Sequence, residues 1–98
     1  MTKEMETLLF KETPAFIDRY YGKCPDENQD EWWEKVGTAT VNWISKYANT
    51  DFAFFAESII VGVFIAVEDK AKVDKGVDAR KLGRATLQRL LRKEEWAS

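Results

Sequence analysis

The sequence predicts an all-α fold, a compact bundle of four to five helices around a central apolar helix at residues 51–70. Three observations lead there. Phe52 to Val67 read FAFFAESIIVGVFIAV, sixteen residues in which Glu57 carries the only charge. At 100° per residue these side chains clothe nearly the whole circumference, and a helix apolar all round must be covered by protein or lipid. Elsewhere apolar residues recur at helical spacing. Thr13-Pro14, Asn49-Thr50-Asp51, Gly76 and Asp78 stand where helices start or stop.

The elements follow in order. Residues 2–12 read as a first short helix with Met5, Leu8 and Leu9 at helical spacing. Thr13 can cap and Pro14 suits a first helical position. A second helix follows to about Lys23, with Phe16, Ile17, Tyr20, Tyr21 and Cys24 in one stripe. The two pieces are either separate or one helix kinked at Pro14. Gly22 to Asp30, GKCPDENQD, is the clearest loop. A third helix runs from near Asp30 to near Ala48 and gathers Trp32, Val36, Ala39, Thr40, Trp43 and Tyr47 on one face.

Asn49-Thr50 should break that helix and cap the next, which starts at Asp51 and frays within 68–75 before Gly76. Ile59 to Val67 is rich in β-branched residues and also suits a buried strand. Helix is favoured because FAFFAES leads in without turn residues and the chain offers no partner strand. A fifth helix is predicted from Asp78 to about Trp96, with Leu82, Leu87, Leu90 and Leu91 in its apolar stripe. Helices 14–23, 31–48 and 78–96 should wrap the central one.

Length sets a single helical domain, 1–98. An apolar fraction of 45% against 33% charged residues is that of a folded, water-soluble chain. One cysteine, Cys24, permits no internal disulfide and points to a reduced, cytoplasmic setting. The apolar run is shorter than the roughly 20 residues a membrane crossing needs, and Glu57 interrupts it. No membrane association is expected. Ninety-eight residues have few helices with which to cover so apolar a core. A homodimer or higher oligomer is therefore expected, formed through the uncovered side of helix 51–70 or the Trp32/Trp33 region. Gly62 with Ser58 and Ala66 places small residues four apart, a pattern that suits a close helix crossing.

Catalytic and metal chemistry find little support. With no histidine and one cysteine, neither a thiol nucleophile with its usual base nor a zinc site can be assembled. Asp26, Asn28 and Asp30 open like a calcium loop, but Glu31 stands where glycine is needed and Gly37 where glutamate is needed. Glu57 and Glu68 share a stripe of the central helix and are the sole candidates for acid–base work. The five glycines form no phosphate-binding motif, and no cofactor is expected.

Two surfaces carry charge. Asp26, Glu27, Asp30, Glu31 and Glu34 surround Trp32 and Trp33. Acids suit a helix N-terminus, but the set also makes an acidic-aromatic surface that can mimic phosphate or seat a basic patch of a protein partner. At the other end Lys81, Arg84, Arg89 and Arg92 cluster opposite the leucines. They offer the alternative, a nucleic-acid-binding or nucleotide-sequestering oligomer, although the pI of about 5.2 argues against it.

The succession FIDRYYGKC, an acidic loop, DEWWEKV, and KYANTDFA leading into an apolar helix resembles small proteins encoded by phages and mobile elements of Gram-positive gut bacteria. The resemblance spans about residues 14–60. The residues themselves favour a non-catalytic interaction protein, and some phage-borne proteins of similar size are anti-defence proteins, including anti-CRISPR inhibitors. Such proteins bind a host protein or sequester its signalling nucleotide. The resemblance assigns a role to no particular residue.

Overall fold

Residues 1–82 are described by a computed structural model of the chain, and all regular structure among them is helical. Three helical rods account for it, where four to five helices were predicted. The predicted fifth helix lies outside the described residues beyond its first turn.

The first rod joins α1 (Lys3–Thr7), a π turn (Leu8–Glu12) and α2 (Thr13–Tyr20) without a break. Thr2 caps it, its hydroxyl oxygen accepting the Met5 N–H at 3.2 Å. Pro14 explains the π turn. Proline has no N–H to donate, and its ring crowds the carbonyl four residues back. A π turn widens the helix at that point. The Thr13 amide and hydroxyl both donate to the Leu8 carbonyl, the hydroxyl at 2.7 Å. The rod therefore passes through the proline. It ends at Gly22, whose φ of +72° few other residues adopt.

α3 (Gln29–Tyr47) buries the predicted stripe Val36, Thr40, Trp43 and Tyr47. Thr40 is the one polar member, and its hydroxyl donates to the Val36 carbonyl at 2.8 Å. α4 (Ala53–Asp74) settles the choice between helix and strand at 59–67 in favour of helix. Its start is two residues later than predicted, because the Thr50 hydroxyl turns back to the Tyr47 carbonyl at 2.7 Å and does not cap α4. Its end is a Schellman turn: Gly76 N–H donates to Val73 and Val77 N–H to Lys72, each at 3.0 Å, with Gly76 at φ +99°. Asp78 then caps a 3-10 turn (Ala79–Lys81), accepting the Arg80 N–H at 2.9 Å.

α2 and α3 both lie on α4. The core takes Leu8 and Phe16 from the first rod, Val36, Trp43 and Tyr47 from α3, and Ala56, Ile60 and Val67 from α4. Phe16 stacks on Trp43 with ring centroids 4.9 Å apart. Each fully buried aliphatic chain contributes about 1.5–3 kcal/mol. The expected wrapping of the central helix is only half present among the described residues. Phe54, Val61 and Ile65 face outward, exposed. Two rods can cover two adjoining sides of a third, and among the described residues the far side stays open.

Candidate functional site

The acidic segment opens α3. Asn28 adopts the left-handed conformation (φ 57°) and turns the chain out of the loop into the helix. Asp30 and Glu31 then occupy the first turn, where the helix dipole favours negative charge. Glu27, Asp30, Glu31 and Glu34 are all exposed. Glu31 stands 3.7 Å from Lys35 one turn on.

Asp26 is drawn away from this group. Its carboxylate accepts the Lys75 ammonium at 2.8 Å and ties the loop to the end of α4. That hydrogen bond and the lysine charge hold the Asp26 carboxyl below its ordinary range.

Trp32 and Trp33 pack edge to face, centroids 4.9 Å apart, and both are half-buried. Trp32 lies against the core. Trp33 walls a cavity of about 280 Å³ with Cys24, Glu68, Ala71, Lys75 and Val77. The segment thus presents acids to water, Trp32 to the core and Trp33 to the cavity at the end of α4.

Between α2 and α3 the acids line an open groove of about 470 Å³, walled by Tyr20, Glu31, Glu34, Lys35, Thr38 and Asn42. Two carboxylates and one ammonium leave it net negative. Hydroxyl and amide groups along the wall can orient a polar ligand. Tyr20 and Asn42 were absent from the sequence expectation. Only the fold brings them beside the acids.

The remaining candidates scatter. Lys81 closes the 3-10 turn, while Arg84, Arg89 and Arg92 lie outside the described residues. Glu57 is exposed, and Glu68 stands 3.5 Å from Lys72, so the two glutamates form no joint acid–base site. No group of three His, Cys, Asp or Glu that can hold a metal ion occurs among the described residues. No described helix is long and apolar enough to cross a membrane.

One cluster escaped the sequence reading. The Glu12 carboxylate, in the π turn, accepts hydrogen bonds from the Trp43 indole at 3.1 Å, the Tyr47 hydroxyl and the Lys46 ammonium. Burial works to raise its pKa, but the three donors and the lysine charge outweigh burial and hold it below its ordinary value of 4.5. Burial, then the Glu12 carboxylate, push the Tyr47 phenol up. Each of the three donates to Glu12, and the cluster clamps the first rod to α3. Trp43 and Tyr47, four apart on α3, were legible as a pair, but their acceptor lies over thirty residues away.

No protein-family model, curated protein or solved structure matches the chain.

Proposed function

We propose that the chain is a non-catalytic interaction protein that seats a basic surface of a protein partner in the groove between α2 and α3. The observation that supports this reading is the groove itself. Glu31 and Glu34 sit in a concave, net-negative site of about 470 Å³, with Glu27 and Asp30 exposed on the same N-terminal part of α3. Opposite charge across an interface speeds encounter and fixes orientation. Tyr20 supplies an aromatic wall of the kind that anchors interfaces.

The resemblance to phage-encoded proteins adds a partner class, a host-defence protein that offers a basic, phosphate-binding surface to the groove. The protein would then act as an inhibitor by covering that surface.

A titration with an oligo-arginine peptide, followed by tryptophan fluorescence, tests the reading. Binding should weaken steeply with salt and disappear in a Glu31→Lys/Glu34→Lys variant that keeps its helical circular dichroism. Equal binding by that variant, or none by the unaltered chain, would remove the groove as the site. Salt-sensitive binding of a DNA duplex would instead favour the basic residues Lys81, Arg84, Arg89 and Arg92 and a nucleic-acid-binding oligomer.

A further inference from the structure

The outward side of α4 is a second surface, which shares no lining residue with the acidic groove. Phe54 is 78% exposed, Val61 37% and Ile65 46%. Beside them lies a cavity of about 460 Å³, walled by Ile17, Tyr21, Ser58, Gly62, Val63 and Ala66 with almost no polar atom. Nothing stands within 4 Å of where a side chain on Gly62 would begin. Phe54 is thus a knob and Gly62 a hollow, on one face of one helix. Together Phe54, Val61, Ile65, Ile17 and Tyr21 leave on the order of 500 Å² of apolar surface in water, at the upper end of what a monomer keeps without use.

We propose that this face joins two copies of the chain, through antiparallel α4 helices related by a two-fold axis at Ser58. Phe54 and Gly62 are eight residues apart, about 12 Å along the helix, with Ser58 midway. A two-fold axis at Ser58 sets Phe54 of each copy over Gly62 of the other. That pairing is what an isologous interface needs, a surface complementary to itself. The row Phe54, Ser58, Gly62 and Ala66 carries no charge of its own; the two Glu57 side chains flank the axis, and Asp51 of each copy stands level with Ile65 of the other. Small residues from Ser58 to Ala66 let the two backbones approach closely. Two copies would cover about 1,000 Å², the threshold for a specific interface.

Cysteine crosslinking reads the register directly. In a Cys24→Ser background the only thiol is the one introduced. Ser58→Cys lies on the axis and meets its own copy within the 4.4–6.8 Å between Cα atoms that a disulfide spans, roughly, whereas Val73→Cys, about 22 Å along the helix from the axis, stands about 45 Å from its own copy. Under mild oxidation at tens of micromolar, Ser58→Cys should crosslink at least tenfold faster than Val73→Cys. Adding Phe54→Ser should remove that advantage while helical circular dichroism is unchanged. Equal rates at the two positions would overturn the proposal. So would a one-chain mass in light scattering at every concentration, which would leave the face to another stretch of this chain or to an unrelated partner.

Discussion

Ile60 and Ile65 stand five residues apart on one helix, with the same side chain and opposite surroundings. Ile60 is fully buried among Leu8, Phe16, Val36 and their neighbours, whereas Ile65 faces out from α4. The side of α4 that holds Ala56, Ile60 and Val67 makes the domain. The side that holds Phe54, Val61 and Ile65 adds little to it among the described residues. The hydrophobicity of a helix therefore reports how much surface must be covered, and says nothing of which molecule covers it.

The sharpest way to break this comparison is to truncate both isoleucines. Ile60→Ala should lose about 3–4 kcal/mol, the cost of deleting buried methylenes and leaving a cavity. Ile65→Ala should stay within about 0.5–1 kcal/mol. Urea unfolding followed at 222 nm, at concentrations too low for self-association, measures both. Similar losses at the two positions would mean that α4 is covered on both sides.

The next largest effect should come from the clamp that holds the inner side in place. Glu12→Ala strips one carboxylate from three donors and should cost about 2–3 kcal/mol, since hydrogen bonds to a charged group contribute more than neutral ones. Trp43→Phe removes one donor to that carboxylate together with part of the buried ring that stacks on Phe16, and should cost about 1.5–3 kcal/mol.

The same clamp sets the pH dependence. The folded pKa of Glu12 lies below its unfolded value. Its contribution is therefore complete above about pH 4.5–5 and is lost as pH falls through the lowered folded value. The folded pKa of Tyr47 lies above its ordinary 10.0. Its contribution is complete below that value and is lost as pH rises beyond it. Urea midpoints from pH 3 to 11 should slope at both ends, and Glu12→Gln should flatten the acid limb. An unchanged acid limb in that variant would assign the slope to other carboxylates.

The smallest effect is expected at the exposed pair Asp26–Lys75. Asp26→Asn should leave the unfolding midpoint where it was, because a solvated pair is screened and costs side-chain entropy to hold. A measurable loss would show that the acidic loop belongs to the clamped side of the molecule.

Much of the inner side was legible in the sequence. The stripe Val36, Thr40, Trp43 and Tyr47 follows from spacing alone, because one face of α3 is buried and the other is not. Gly76 marked the end of α4, since a Schellman turn needs a residue that tolerates positive φ. The π turn was not legible. Pro14 signals a disturbance, but whether the chain breaks or widens depends on Thr13 bonding back to Leu8. Of the three helices expected to wrap the central one, 14–23 and 31–48 do lie on it, and 78–96 falls outside the described residues beyond its first turn. For the candidate site, the acids could be read from residue type. Their concave setting could not, because Tyr20 reaches them only through the packing of α2 on α3.

In a single chain α4 is core on one side and, among the described residues, open on the other. Hydroxyl-radical footprinting of the full-length protein, read residue by residue by mass spectrometry across a dilution series, tests it. At the lowest concentrations Phe54 and Ile65 should be oxidised while Ile60 and Val67 remain protected, and protection of Phe54 should grow as concentration rises. Protection of Phe54 and Ile65 at every dilution would contradict it, showing that one chain covers its own central helix on both sides.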